Sequence, residues 1–140
     1  MASHIDLAAI AATPDLAALP ALQAEIVRAE RLWAVAARVD RNPCDDLARR
    51  FGSNEAARHF VVLMALAVAA WPEPFRVHPP CCPRVCYYEK LIADMVARAA
   101  AGDRAGFHAL IEDMLPGDIG ERLFAAACWF AEAMAGKVTR

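Results

Sequence analysis

Apolar residues recur along this chain at the three- and four-residue spacing of helices, and nowhere alternate for long enough to mark a strand. From Pro20 to about Arg41, Leu22, Ile26, Ala29, Trp33 and Ala36 form one stripe, and Leu32, Val35 and Val39 widen it. Arg28, Arg31 and Arg38 fall mainly on the other side, where solvent is expected. Asn42-Pro43 ends this helix and opens a second, with Asn as the cap and Pro in the first turn. Asp45 with Arg49 and Asp46 with Arg50 have the spacing of favourable ion pairs. Gly52-Ser53-Asn54 breaks the pattern. The segment from Asn54 to Trp71 is then apolar nearly all round, which predicts a helix buried on every side at the centre of a bundle.

Pro72, Pro74, Pro79, Pro80 and Pro83 forbid a helix over residues 72–85. The periodicity resumes near Cys86 and runs to Ala101, with Tyr88, Leu91, Ile92, Met95, Val96 and Ala99 inward, until Gly102-Asp103 interrupts it. Phe107, Leu110, Ile111 and Met114 mark a short helix ending at Pro116-Gly117. Asp118 and Glu121 have the spacing of a capping box. They open a last helix that buries Leu123, Ala127, Phe130 and Met134 and stops at Gly136. At the other end, Thr13-Pro14 reads as a cap and first helical position. The pattern predicts an all-α fold: an irregular antiparallel bundle of about five main helices with a Pro/Cys-rich loop over 72–85. Residues 1–140 are expected to form one helical domain, with 1–13 a flexible or short helical arm.

Composition adds one point to this picture. A hydrophobic content of 59% over 140 residues is more than one core needs. The surplus predicts an apolar surface covered by a second copy, hence a homodimer. The 15 basic and 17 acidic residues leave no positive excess to hold a phosphate backbone, so a nucleic-acid partner is not expected. The longest apolar run, Phe60 to Trp71, falls well short of the ~20 residues that cross a bilayer. Met1-Ala2-Ser3-His4 lacks the start of a secretory signal, so the cytoplasm is the expected location and the five cysteines are expected to be free thiols.

Candidate chemistry is concentrated in one loop: His78-Pro79-Pro80-Cys81-Cys82-Pro83-Arg84-Val85-Cys86. Thiolates and imidazole suit zinc or copper(I), which makes His78, Cys81, Cys82 and Cys86 candidate metal ligands, with Cys44 or Cys128 as a further one. The absence of a Cys-x-x-Cys pair and the three prolines weigh against convergence, and favour a rigid loop whose cysteines simply pack. Cys86 stands at a predicted helix start beside Arg84, two features that lower a thiol pKa, and Cys81 and Cys82 are near enough in sequence to resolve a redox reaction. Residues 46–60 resemble a helix-turn-helix. However, Ser53 stands where an apolar residue should close the turn, Arg58 occupies a core position, and the second helix continues without basic side chains. His108 and Glu112 share a helical face as a solvated pair, and His59 reads as a core or interface residue. No Ser/His/Asp order, Gly-x-Ser-x-Gly, P-loop or dinucleotide fingerprint occurs, so no catalytic or cofactor-binding residue is assigned.

The run Cys81-Cys82-Pro83-Arg84 followed by Glu89 resembles the signature of an uncharacterised family of small helical alphaproteobacterial proteins. The Phe51-Gly52 corner and the Leu63-Met64-Ala65-Leu66 segment support the resemblance, which covers about residues 45 to 135. It implies a Ser/Thr-x-x-Glu capping box with Cys86 in the Ser/Thr place and Glu89 in the Glu place. It implies no activity. The leading expectation is therefore a non-enzymatic, cytoplasmic interaction protein forming a homodimer. The alternative is a thiol-based metal-binding or redox-sensing protein using the Cys81/Cys82/Cys86 loop. A DNA-binding regulator using residues 45–60 comes third.

Overall fold

The helical stripes close over a shared core. A computed structural model describes residues 14–136, so the arm expected over 1–13 lies outside it. Six α-helices follow one another: α1 (Ala21–Arg38), α2 (Cys44–Phe51), α3 (Asn54–Ala70), α4 (Tyr87–Ala100), α5 (Arg104–Ile111) and α6 (Gly117–Gly136). The all-α bundle is thus as the periodicity predicts, with the short 107–114 segment forming a helix of its own. Among the described residues no strand forms. Pro14 does not open a helix. It belongs to an extended stretch that pairs with the end of the Pro/Cys loop, where Leu16 N donates to Pro83 O at 2.7 Å and Val85 N to Pro14 O at 3.3 Å.

Side chains satisfy exposed helix ends at three places, at Asn42 as expected and at Ser53 and Asp103 within the expected breaks. Asn42 Oδ1 accepts from Cys44 N at 2.9 Å, Ser53 Oγ from Ala56 N at 3.0 Å, and Asp103 Oδ1 from Gly106 N at 2.9 Å. Gly52 ends α2 at φ 69°, a conformation that glycine adopts at little cost. Two local expectations are corrected. Asp46 pairs with Arg41 at 2.6 Å and with Arg49, while Arg50 reaches across to Glu25 of α1 at 2.7 Å. The spacing rule therefore yields to the neighbouring helix. The expected Asp118/Glu121 box is not made, because α6 begins at Gly117 and Glu121 is drawn to Arg104 and His108 at 2.5 and 2.7 Å.

The most extensive interface joins α3 to α6, while α1 packs chiefly on α4. Phe51, Phe60 and Phe130 meet at the α2/α3/α6 junction with ring centroids 5.0–5.4 Å apart, all three fully buried. Ile26, Val27, Ile92 and Met95 fill the α1 and α4 side. The prediction that α3 is buried all round is wrong. Ala56, Phe60, Leu63, Met64 and Ala67 face the core, but Val62 is 46% and Val68 41% exposed, and Ala65 and Ala69 are exposed beside them. The main partners of α3 are α2 and α6 alone, which leaves its outer side open. Truncating Phe60 to Ala should cost about 3–5 kcal/mol in urea unfolding, since it opens a void at a three-ring contact. A loss below about 1 kcal/mol would contradict this packing.

Candidate functional site

The Pro/Cys loop is held from inside by one buried ion pair. Arg31, expected on the solvent side of α1, is 1% exposed, and Glu89 in the first turn of α4 is fully buried. Arg31 Nε donates to Glu89 Oε2 at 2.8 Å and Nη2 to Oε1 at 3.2 Å. Two further guanidinium hydrogens go to the loop: Nη1 to Cys82 O at 2.7 Å and Nη2 to Arg84 O at 2.8 Å. Glu89 in turn accepts from His78 N at 3.1 Å and Cys86 N at 2.9 Å. The pair thus binds loop backbone at residues 78, 82, 84 and 86, which is how a loop with few amide donors keeps one shape. Burial works to remove the Arg31 charge, but the hydrogen bonds and charge of Glu89 outweigh it and hold its pKa above the ordinary value.

Cys86 occupies the cap position of α4. Glu89 accepts its N–H while the Glu89 N–H points to Sγ, a capping box with sulfur in place of a hydroxyl. The thiol also lies 3.5 Å from Arg76 O, to which it donates. The expectation of a lowered Cys86 pKa is overturned. Burial pushes it up to about 11, and the charges of Glu89 and Glu30 add to that effect against the opposing backbone hydrogen bond. Cys86 is therefore a thiol at neutral pH rather than a ready nucleophile.

Glu30, beside Arg31 on α1, is fully buried, and neither carboxylate oxygen has a hydrogen-bond partner. Burial first, and then the charge of Glu89, raises its pKa well above the ordinary 4.5, with Arg31 opposing. Of the four predicted metal ligands, His78 and Cys86 converge and are joined by Glu89, with one donor atom of each within 4.8 Å of the others. Cys81 and Cys82 do not join this group: Cys81 is exposed, and Cys82 contributes its carbonyl to Arg31. All five cysteines are free. His108 pairs with Glu121 on α6, not with Glu112.

Sequence reasoning missed Arg31 and Glu30 because it assigned charge to solvent. The available signal was register. Arg31 follows Val27 by four, and Glu30 follows Ile26 by four, both in line with fully buried residues. No helix among the described residues is long and apolar enough to cross a membrane. No protein-family model, curated protein or solved structure matches the chain.

Two substitutions test the cluster by their opposite effects. Arg31→Met should cost about 3–5 kcal/mol, because it strands the Glu89 carboxylate in the interior. Glu30→Gln should do the reverse at neutral pH. A carboxyl whose folded pKa lies above its unfolded 4.5 supplies stability that is full below that pH and lost as pH rises through the folded pKa. Glu30→Gln should therefore flatten the fall in melting temperature above pH 4.5. An unchanged pH profile would show that Glu30 is not the buried acid described.

Proposed function

We propose that the protein is a non-enzymatic self-association module that pairs with a second copy through the outer side of α3 and the adjoining edge of α6. The observation that carries this reading is the exposure of large apolar side chains in one neighbourhood. Trp129 of α6 is 56% exposed, with its ring 6.0 Å from that of His59 on α3. Val62, Ala65 and Ala69 continue the apolar surface along α3 at helical spacing. A tryptophan with this exposure is the residue type most often found as an interface anchor. A single helix face of this kind matches itself across a twofold axis, which is the commonest way for a chain to associate. A reducing cytoplasm suits five free thiols.

The DNA-binding reading of residues 45–60 gains no comparable support. Beyond Arg58, the exposed positions of α3 are Val and Ala, which offer no hydrogen bonds to base edges. The resemblance to the alphaproteobacterial family brings no activity, and none is assigned to the chain.

Light scattering of the full chain should give twice the 15.2 kDa subunit mass. Replacing Trp129 by Glu should shift the dimer dissociation constant by about 30-fold or more, as expected for a lost anchor worth at least about 2 kcal/mol. Adding Val62→Glu should yield monomer. A strict monomer at high concentration, or a dimer indifferent to both changes, would remove this reading.

A further inference from the structure

We infer that His78, Cys86 and Glu89 form a binding site for a borderline divalent cation of the zinc type, with the buried Glu30 carboxyl as a nearby negative charge. The site is independent of the α3/α6 surface and lies where the Pro/Cys loop meets α1 and α4. Two observations carry the inference. An imidazole from the loop and a thiol and a carboxylate from the start of α4 present donor atoms within 4.8 Å of one another. Separately, a fully buried carboxylate with both oxygens unpartnered lies close enough for its charge to act on Cys86 and on Glu89. A buried carboxyl with no donor is costly and rare, and a cation beside it would use its charge.

The donor set selects the metal class. One nitrogen, one sulfur and one carboxylate oxygen, with a fourth position open to water, suit zinc or cobalt(II) better than calcium or magnesium, which take oxygen alone. Ligand atoms around tetrahedral zinc lie about 3.3–3.8 Å apart, as bond lengths of about 2.0–2.3 Å require. From separations within 4.8 Å, the cluster contracts by up to about 1 Å on binding. Room for the metal at Glu89 comes from its weakest contact. The 3.2 Å bond from Arg31 Nη2 to Oε1 can open while Nε keeps Oε2, and Nη1 and Nη2 keep the loop carbonyls. Binding releases the Cys86 thiol proton to solvent. The two anionic ligands, the Cys86 thiolate and Glu89, are then balanced by the divalent ion. The field of the bound ion reverses the effect of burial on the thiol.

Cobalt(II), and separately zinc, titrated into the reduced full chain tests this directly. One equivalent of cobalt should bind and produce thiolate-to-cobalt charge-transfer absorption, and zinc should displace it. Cys86→Ser puts a hydroxyl in the cap position and should fold, yet should lose that absorption entirely. Glu30→Gln should fold at least as well as the parent and bind about 10–100-fold more weakly. A double Cys81→Ala, Cys82→Ala variant should bind like the parent. The inference is overturned by the absence of stoichiometric binding, by absorption that survives Cys86→Ser, by equal affinity in Glu30→Gln, or by absorption that depends on Cys81 and Cys82.

Discussion

The Arg31–Glu89 pair is the constraint on which the rest of this architecture depends. Two unlike charges taken from water into a core contribute little net stability unless their donors and acceptors find partners. Here they do. The guanidinium serves both carboxylate oxygens and two loop carbonyls, and the carboxylate serves two loop amides besides. This exchange replaces the backbone ladder that a proline-rich segment cannot make. It also sets position. The Glu89 carboxylate fixes Cys86 as the cap of α4, and the carbonyl of Arg84 is drawn inward as its chain neighbours pair with the stretch before α1. The loop, the first residues described and the start of α4 are therefore placed together by a side chain from α1.

Much of the fold could be read from the sequence because its boundaries are local chemistry. Asn42, Gly52-Ser53 and Asp103 act within three residues of themselves, so sequence alone locates them. The prolines between 72 and 83 exclude helix whatever surrounds them. What could not be read depends on which helices become neighbours. Arg50 pairs with Glu25 across the bundle, and Asp46 with Arg49 and with Arg41 of the preceding turn, rather than each with its i,i+4 neighbour. The segment Asn54–Ala70 is so rich in Ala and Val that its sequence carries no polar mark of an outer side. Only its packing against α2 and α6 shows where that side lies.

The candidate site was half legible for a related reason. The residue types that announce metal chemistry drew attention to the correct loop, and two of the four, His78 and Cys86, do converge. Cys81 and Cys82 are adjacent in sequence, but the turn there leaves Cys81 exposed while Cys82 offers its carbonyl inward to Arg31. The carboxylates were invisible as partners, because Glu30 and Glu89 are 59 positions apart and meet only through the contact of α1 with α4. The Cys86 pKa was misjudged in sign for the same reason. A helix start and a nearby arginine would favour thiolate, but the groups that act on the sulfur are two acids and a dry environment.

Glu30 shows why stability alone does not account for this cluster. Arg31 and Glu89 already satisfy one another, so a third charge adds an uncompensated burial next to a complete pair. An apolar residue of similar volume would pack there without that cost. Among the described residues one other buried side-chain polar atom lacks a hydrogen-bond partner, the neutral Nε1 of Trp71, so Glu30 is the unpartnered ionisable group of the core. A carboxyl kept there against that cost supports the proposal that a cation binds beside it. The cluster sits on α1 and α4, while the open apolar side belongs to α3 and α6, so the two features are carried by different helix pairs around one core.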